Sequence, residues 1–286
     1  MKRLFLVSLT GIFVIFLCKA QDIKRPPVWG VAGMTFLVSD FRIAREYYGD
    51  FLGFEEAFSY NSEKGKVICF KINDRQFLEF IEDKNAKDTD RLVSVVFDCD
   101  NPARMEVYLR SKNIPIVRET ETDAAGNEVL VIQGTEFYTI KFTRYFPGGL
   151  HKKSEGKFLG ENRISSRFHH VGLHVSDVAK ANRLYREILG FSEMWRFREE
   201  NEATPNYIYM RIPDCVENIE YLVTDDSNSS HPCFRVEDMQ ETIYTLKERN
   251  RENLARPEIG KRKRWLLNLQ NEDGTRVEFT ESFTVN

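Results

Sequence analysis

The pattern of apolar and polar positions occurs twice along the chain. The segment MTFLVSDFRIAREYYGDFLGF, residues 34–54, aligns without gaps with VGLHVSDVAKANRLYREILGF, residues 171–191. Val-Ser-Asp, a tyrosine and Leu-Gly-Phe recur at the same places in both segments. An internal repeat of this kind constrains the architecture before any single residue is interpreted.

Each copy predicts one strand, one helix and three further strands. Alternating apolar residues lead to an aspartate at the helix N-cap position, Asp40 or Asp177, and about three turns of helix end at Leu-Gly-Phe. After the second helix, strands are predicted at 191–198, 206–212 and 218–223, separated by polar or Pro-containing stretches. The repeating unit is therefore βαβββ.

The second and fourth quarters of the chain repeat this unit more loosely. A strand and a helix are predicted at 92–112 and again at 231–250. Closing strands follow near 139–143 and 275–280. The chain thus contains four units.

The units pair into two domains, because two such units make a domain of ordinary size. The pairs are residues 28–145 and 167–284. Residues 146–166 are rich in Gly, Ser and Lys with weak periodicity, which is typical of a linker. We predict an α+β fold of four βαβββ modules in two domains.

The first twenty residues have a different pattern. Met1–Arg3 is basic, Leu4–Leu17 is an apolar run, and Cys18-Lys19-Ala20 resembles a small-residue cleavage site, which is the order of a secretory signal peptide. The apolar run is shorter than the roughly 20 residues that span a bilayer. We expect an exported protein, periplasmic or secreted, with no stable membrane insertion after cleavage of residues 1–20.

The net charge indicates which partners to expect, and the cysteine spacing bears on zinc sites and disulfides. The formal net charge of -3 offers no electrostatic basis for binding nucleic acid or an anionic membrane, so a small molecule is the expected partner. Cys69, Cys99, Cys215 and Cys233 match no zinc-binding spacing, and we expect them to be packing residues rather than disulfides. The oligomeric state stays open.

Strand parity brings ligand-type side chains onto one face. Residues two apart in a strand share a face. If Val171, Leu173 and Val175 face the helix, then His170 and His174 face the opposite side. By the same parity, three further ligand-type side chains face away from the helices: Glu220, His231 and Glu278.

These positions are equivalent between the two modules of the second domain. His170 and His231 each stand seven residues before a capping aspartate, Asp177 or Asp238. Two imidazoles and up to two carboxylates on one open face suit a divalent ion such as Fe, Mn, Co, Ni or Zn. We predict a metal site whose ligands are His170, Glu220, His231 and Glu278.

Several neighbouring side chains are candidate substrate contacts, although residues of these types are more often packing residues. Two share the ligand-bearing faces and three lie on neighbouring strands: His174, Arg235, Tyr207, Tyr209 and Trp265. The basic run Lys261–Arg264 is a candidate for attracting an anionic substrate, although short basic runs in loops are usually only solvated.

The strings HVGLHVSDVAKANRLYREILGF and NEDGTRVEFTE resemble the vicinal oxygen chelate superfamily. That superfamily includes glyoxalase I, the bleomycin and fosfomycin resistance proteins, methylmalonyl-CoA epimerase and the extradiol dioxygenases. The resemblance implies paired βαβββ units that form a cup-shaped mixed sheet around a metal. It also implies that the ligands come from the first and last strands of both units, where His170, Glu220, His231 and Glu278 lie.

The first half departs from this pattern. Its equivalent positions are Gly33, Glu79, Val93 and, with less constraint on the alignment, Lys141. We expect a metal-free cup with a structural or substrate-shaping role, in which a Glu79–Lys141 ion pair replaces the metal.

The resemblance leaves three functions open. The first is a metal-dependent glyoxalase-like isomerase or lyase that chelates neighbouring substrate oxygens, with Glu220 as the fourth ligand or as the general base. Glutathione as cosubstrate is disfavoured in an exported protein. The second is an extradiol dioxygenase with His170, His231 and Glu278 as its iron ligands. The acid/base histidine and the tyrosine that such enzymes carry have no match here. The third is a non-catalytic binding protein of the resistance type.

Overall fold

The computed structural model describes residues 23–85, 91–249 and 254–283. Two curled eight-stranded sheets follow one another along the chain, and the few helices pack against them. The predicted signal segment, residues 1–20, lies outside the described residues. In the part of the chain that is described, no helix is long and apolar enough to cross a membrane.

The first sheet contains eight strands: β1 (Val28–Val38), β2 (Glu55–Ser62), β3 (Gly65–Lys71), β4 (Phe77–Glu82), β5 (Leu92–Cys99), β6 (Ile116–Thr122), β7 (Glu128–Gln133) and β8 (Thr139–Arg144). Its helices are α1 (Phe41–Ala44), continued by a π-helical segment (Arg45–Phe51), and α2 (Pro102–Ser111). A short helix, α3 (Leu150–Lys153), lies in the segment between the sheets.

The second sheet repeats this arrangement with another eight strands: β9 (Phe168–Val175), β10 (Ser192–Phe197), β11 (Tyr207–Arg211), β12 (Asn218–Val223), β13 (His231–Val236), β14 (Glu258–Ile259), β15 (Trp265–Gln270) and β16 (Arg276–Glu281). Its helices are α4 (Val178–Ala181), continued by a π-helical segment (Asn182–Ile188), and α5 (Met239–Glu248).

The two sheets have the same topology. The strand orders are β2-β3-β4-β1-β5-β8-β7-β6 and β10-β11-β12-β9-β13-β16-β15-β14. The first strand of every module pairs in parallel with its last, and β1 meets β5, as β9 meets β13, in antiparallel orientation. The predicted α+β architecture of four βαβββ modules in two cup-shaped mixed sheets is confirmed.

The helix starts follow the predicted capping, but two helices differ in their turns. Asp40, Asp177 and Asp238 each accept hydrogen bonds from backbone N–H groups of the first helical turn. Where three α-helical turns are predicted after β1 and β9, one α-helical turn gives way to a π-helical segment. Leu52 N donates to Tyr47 O at 3.0 Å, the fifth residue back, which is the π-helical pattern.

The repeated motif forms the contact between the two domains. Ser39 donates from its backbone N and its hydroxyl to Asp273, at 2.8 and 2.6 Å, and Ser176 donates in the same way to Glu136, at 3.0 Å for both bonds. The phenylalanine of each Leu-Gly-Phe also packs on the opposite domain. These ring contacts are Phe54 with Phe234 and Phe191 with Phe97, at centroid distances of 5.0 and 5.7 Å. The recurrence of Ser and Phe in the sequence thus reflects a pseudo-twofold domain interface.

Candidate metal centre

Four buried side chains converge on the concave face of the second sheet. His170, Glu220, His231 and Glu278 are each at most 5% exposed and come from the neighbouring strands β9, β12, β13 and β16. The register explains their proximity, because Gly172 pairs with both Glu220 and His231, while Cys233 pairs with both His170 and Glu278. The structure therefore brings together the four residues predicted as metal ligands.

The ligand-type atoms of this group face one another. His170 Nε2 lies 3.2 Å from Glu220 Oε2 and 3.8 Å from Glu278 Oε1. His231 Nε2 lies 3.6 Å from Glu278 Oε2 and 3.9 Å from Glu220 Oε2. Atoms bonded at about 2.1 Å to one ion are separated by about 3 to 4 Å, so these spacings fit a shared divalent ion.

His231 carries a further sign of metal binding. Its Nδ1 donates to the carbonyl of Ser229 at 2.9 Å, which leaves the lone pair on Nε2. That Nε2 is buried and makes no hydrogen bond to any described residue. Burial, and next the charge of Arg276, lower the pKa of His231, so the ring is neutral. A neutral imidazole whose free nitrogen points at two carboxylates fits a metal ligand oriented by a backbone carbonyl.

A glycine makes room for that imidazole. Gly172 lies beside His231 in the sheet, and a Cβ at Gly172 would lie 2.2 Å from Cε1 of the His231 ring. Any larger residue at this position would push the ring out of the centre. The glycine in HVGLHV is thus part of the site.

His170 is held by a chain of hydrogen bonds from the cavity wall. Arg264 Nη1 lies 2.6 Å from His169 Nε2, and His169 Nδ1 lies 2.9 Å from His170 Nδ1. A guanidinium only donates, so His169 accepts at Nε2 and donates from Nδ1. Burial, His170 and Arg264 lower the pKa of His169 to about 2, in keeping with a neutral ring. In this pattern the proton of a neutral His170 lies on Nε2 and faces Glu220, so the Arg264 contact opposes metal binding at that nitrogen.

Glu278 is kept ionised although it is buried. Burial alone would raise the pKa of its carboxyl, but His231, His170 and Arg276 outweigh this effect and hold the pKa below its ordinary value. Arg276 donates to Oε2 at 2.6 Å, and the Cys233 thiol donates to Oε1 at 3.3 Å. An anionic Glu278 is the form that binds a metal ion.

A cavity of about 150 Å³ opens beside the four residues. Its wall contains three aromatic side chains, Trp195, Tyr207 and Tyr209, and four cations, Lys261, Arg262, Arg264 and Arg276. The guanidinium of Arg262 lies over the Tyr209 ring, 4.5 Å from its centroid. Beyond the four converging residues, the wall therefore combines aromatic surface with four cations and one carboxylate, Glu258.

The structure sorts the predicted substrate contacts into two groups. Tyr207 and Tyr209 line the cavity, but His174, Arg235 and Trp265 do not. His174 Nε2 bonds to the carbonyl of Thr224 at 2.8 Å, and Arg235 pairs with Glu237 at 3.1 Å. For His174 and Arg235, parity gave the correct strand face, but they lie beyond the cavity along their strands.

Sequence reasoning missed several cavity residues. Trp195, His169 and Arg276 were not singled out, although Arg276 precedes Glu278 by two residues and shares its face. Three members of the basic run, Lys261, Arg262 and Arg264, do line the cavity. The run lies in the loop between β14 and β15, and these three side chains are at the cavity wall, so their role in attracting an anionic substrate stays a prediction.

The first cup holds an ion pair at the corresponding place. Lys141 Nζ lies 3.7 Å from Glu79 Oε2, which confirms the expected pair. One assignment was wrong. Thr35 pairs with Ser94 and with Glu79 as Gly172 pairs with His231 and with Glu220, so Ser94 rather than Val93 corresponds to His231. The reason is the helix cap: α2 is capped by Asn101, and Ser94 stands seven residues before it, as His231 stands seven residues before Asp238.

The predicted linker contributes to this first cup. His151, from α3, is 5% exposed and lies 3.7 Å from Glu79 Oε1. Its ring stacks on Tyr145 at 4.6 Å, and Asn127 bonds to Nδ1 at 2.9 Å. The four described cysteines are free, and Cys69, Cys99 and Cys233 are buried.

Residues 167–279 match the model of the Glyoxalase/Bleomycin resistance protein/Dioxygenase superfamily. The second domain belongs to this superfamily. It is the superfamily that the sequence motifs resemble, and the match includes all four converging residues. No match is found among curated proteins at the level of sequence.

Superfamily members of known structure share the two-domain fold. The 2,3-dioxygenase LapB from Pseudomonas sp. KL28 is 15% identical, with a TM-score of 0.69 over 91% of this chain and 94% of that one. Homoprotocatechuate 2,3-dioxygenase from Arthrobacter globiformis is 16% identical, with a TM-score of 0.70 over 92% and 82%. The enzyme from Brevibacterium fuscum, in complex with 3,4-dihydroxyphenylacetate, is 17% identical, with a TM-score of 0.67 over 91% and 82%. At these identities the likeness establishes the fold of both domains.

Proposed function

We propose that this protein is a metal-dependent enzyme that chelates two neighbouring oxygens of a small anionic substrate and transfers a proton beside the chelated carbonyl. This is an isomerase- or lyase-type reaction of the glyoxalase kind. The observation that carries the proposal is the position of Glu220, a second carboxylate at the cavity wall that faces the same point as His170, His231 and Glu278: its Oε2 lies 3.2 Å from His170 Nε2 and 3.9 Å from His231 Nε2. The ligand atoms of His170, His231 and Glu278 lie within 4.8 Å of one another.

His170, His231 and Glu278 are the residues that would hold the metal. When bound, the ion supplies Lewis-acid stabilisation of negative charge on the chelated oxygens. The ionised Glu278 and the neutral His231 are in the protonation states that metal binding requires.

Glu220 is the residue that would move the proton. It is 5% exposed and its Oε2 lies 3.2 Å from His170 Nε2, on the side of the cavity. A buried carboxylate within reach of a chelated substrate is placed to accept a proton from an adjacent C–H group. As a fourth ligand it would serve the same step once displaced by substrate.

The cavity wall would orient the substrate. Trp195 and Tyr209, whose ring centroids are 5.6 Å apart, contact one side of a flat substrate. Arg262 and Arg264 supply charge for an anionic group on it. The wall therefore favours a compact acid whose two chelating oxygens enter first.

An extradiol ring-cleaving dioxygenase is the second candidate. Two observations favour it: the two-domain fold shared with the 2,3-dioxygenases over 91–92% of this chain, and the compact group of two histidines and one glutamate. A catechol that carries a carboxylate would suit the same aromatic and cationic wall.

We also propose that the protein is exported. The support is the order of basic, apolar and small residues in the first twenty positions. Export places the reaction away from the glutathione pool of the cytosol.

The metal site is tested by elemental analysis of the purified chain. We expect about one divalent ion per chain, and its loss in the variant with both His170→Ala and His231→Ala. His174→Gln is the matched control, because His174 lies on the same strand as His170 but outside the cavity. Full metal content in the double variant would contradict the proposed site.

The reaction is tested by comparing Glu220→Gln with Glu258→Gln, a second carboxylate of the cavity wall. Each protein is given 2-oxoaldehydes and 2-oxoacids in D₂O, and carboxylated catechols with an oxygen electrode. We expect solvent deuterium exchange next to the carbonyl that falls at least about 100-fold in Glu220→Gln and persists in Glu258→Gln. Oxygen uptake on a catechol that survives Glu220→Gln supports the dioxygenase instead. Metal binding without turnover of any of these compounds supports a non-catalytic binding protein.

A further inference from the structure

The first cup contains a cavity of about 290 Å³, larger than the one beside the metal-binding residues. It lies on the concave face of the first sheet, between β3, β4, β6, β7 and β8. Its apolar wall includes Val67, Ile81 and Val131. A cup that served only as scaffold would be expected to fill this space with side chains, as protein interiors normally do.

The floor of this cavity is the Glu79–Lys141 pair, in which the two partners are unequally satisfied. Glu79 accepts hydrogen bonds from Tyr60 at 2.7 Å and from Thr35 at 2.9 Å. Burial favours the neutral carboxyl, but Lys141, His151 and these hydroxyls lower the pKa of Glu79, so it is ionised. The carboxylate therefore has its acceptor sites used by groups of the cup.

Lys141 has no comparable set of partners. Its only polar contact among the described residues is Glu79 Oε2 at 3.7 Å, which is longer than a hydrogen bond. Its side chain is 22% exposed and lines the cavity. An ammonium offers three donors, so this group is available to an acceptor that enters the cup.

The charges around the cavity indicate the class of ligand. Three cations line it, Lys64, Arg118 and Lys141, against two carboxylates, Glu63 and Glu79. Arg118 is paired with Glu121 at 3.2 Å and with Glu63 at 3.7 Å, so Lys141 is the cation on the floor that a negatively charged ligand would meet. The valine and isoleucine wall would contact an apolar body.

We propose that the first cup is a second small-molecule site, which binds a compact apolar monocarboxylate with its carboxylate on Lys141. The site is separate from the metal centre and does not depend on the reaction proposed there. The proposal assigns a binding role to the domain in which Gly33 and Ser94 stand at the positions of His170 and His231.

The test uses benzoate as the probe and the full-length protein labelled at Ile, Leu and Val methyl groups. Methyl signals of Val67, Ile81 and Val131 report on the first cup, and that of Leu266 reports on the cavity of the second domain. We expect benzoate to shift the first-cup signals in a saturable manner. The neutral analogue benzyl alcohol should bind at least about tenfold more weakly, because it offers no charge to Lys141.

Two variants locate the site. Lys141→Met should weaken the first-cup response at least about tenfold, since it removes the charge-assisted hydrogen bond. Val131→Phe leaves the ion pair intact and fills the cavity, so it should abolish the shifts of Val67 and Ile81 and leave the Leu266 signal as it is in the wild-type protein. If Lys141→Met does not fold, the Val131→Phe variant alone shows whether benzoate binds in the first-cup cavity.

Three outcomes would overturn the proposal. Benzoate shifts confined to Leu266 would place binding in the other domain. Equal affinity for benzoate and benzyl alcohol would show that no carboxylate is recognised. Unchanged first-cup shifts in Val131→Phe would show that the probe binds outside the cavity.

Discussion

The two cups have the same strand order and pairing pattern but carry different side chains at four equivalent positions. The second cup holds His170, Glu220, His231 and Glu278, and the first holds Gly33, Glu79, Ser94 and Lys141. Only the glutamate on the fourth strand is shared. Replacing a carboxylate by an ammonium turns a set of metal ligands into an ion pair, so the sheet supplies the positions and the side chains decide the chemistry.

The residue that pairs with the third of these positions also differs between the cups. In the second cup Gly172 leaves space for the ring of His231. In the first cup the equivalent pair is Thr35 and Ser94, whose hydroxyls bond to each other at 2.9 Å. The second cup thus places a large side chain beside a glycine, and the first cup places two small side chains at the equivalent positions.

Glu79 in the first cup and His231 in the second differ in how completely their polar atoms are satisfied. The Glu79 oxygens in the first cup accept from two hydroxyls and lie near Lys141 and His151. The second cup leaves His231 Nε2 without a hydrogen bond among the described residues. An unmet buried nitrogen is costly unless a ligand uses it, which is the physical basis for assigning the metal to the second cup.

The largest effect that would sharpen this comparison is expected from Gly172→Ala. The added Cβ would displace the His231 ring, so divalent metal affinity should fall about 100-fold, corresponding to about 3 kcal/mol. Competition with a chelating dye measures it. Gly148→Ala is the control, because a Cβ there meets nothing within 4 Å. An unchanged metal affinity in Gly172→Ala would contradict the packing argument.

The second expected effect is a pH dependence of stability that comes from His151 in the first cup. Burial lowers the pKa of His151 from 6.5 to about 4; the charge of Glu79 partly offsets this effect, and Lys141 adds a smaller contribution that lowers the pKa. The unfolded chain therefore binds a proton that the folded chain refuses, and stability falls as the pH drops from 6.5 to 4. His151→Gln should remove about 3 kcal/mol from the difference in unfolding free energy between neutral pH and pH 4.

Urea unfolding of both proteins at the two pH values gives this difference. The comparison within each protein cancels the packing lost by the substitution itself. Equal pH dependence in wild type and His151→Gln would mean that the linker histidine is not buried in the first cup.

The smallest effect concerns the chain from Arg264 through His169 to His170. Arg264→Met frees His169 Nε2, so His169 can accept from His170 Nδ1–H and leave the Nε2 lone pair of His170 for the metal. Divalent metal affinity should rise about threefold to tenfold by calorimetry. Arg262→Met removes an equal charge without touching His169 and should have less effect. A lower metal affinity in Arg264→Met would reverse the proposed direction of the hydrogen bonds.

Local patterns determined much of this protein in advance. Strand parity, together with the spacing of His170 and His231 from their capping aspartates, identified all four converging residues. These rules succeed because a strand alternates its faces whatever surrounds it. The same reasoning anticipated the Glu79–Lys141 pair, since both residues lie at positions that the repeat relates to metal ligands.

Only the tertiary structure decided which other side chains join the cups. His151 enters the first cup from a segment without periodicity, and the loop of Lys261, Arg262 and Arg264 closes over the second. The pairing of Ser94 with Thr35, a contact between two strands, makes Ser94 the counterpart of His231. Loop placement and register depend on contacts between residues far apart in the chain, so they cannot be obtained from local periodicity, which carries information only about the face a residue occupies.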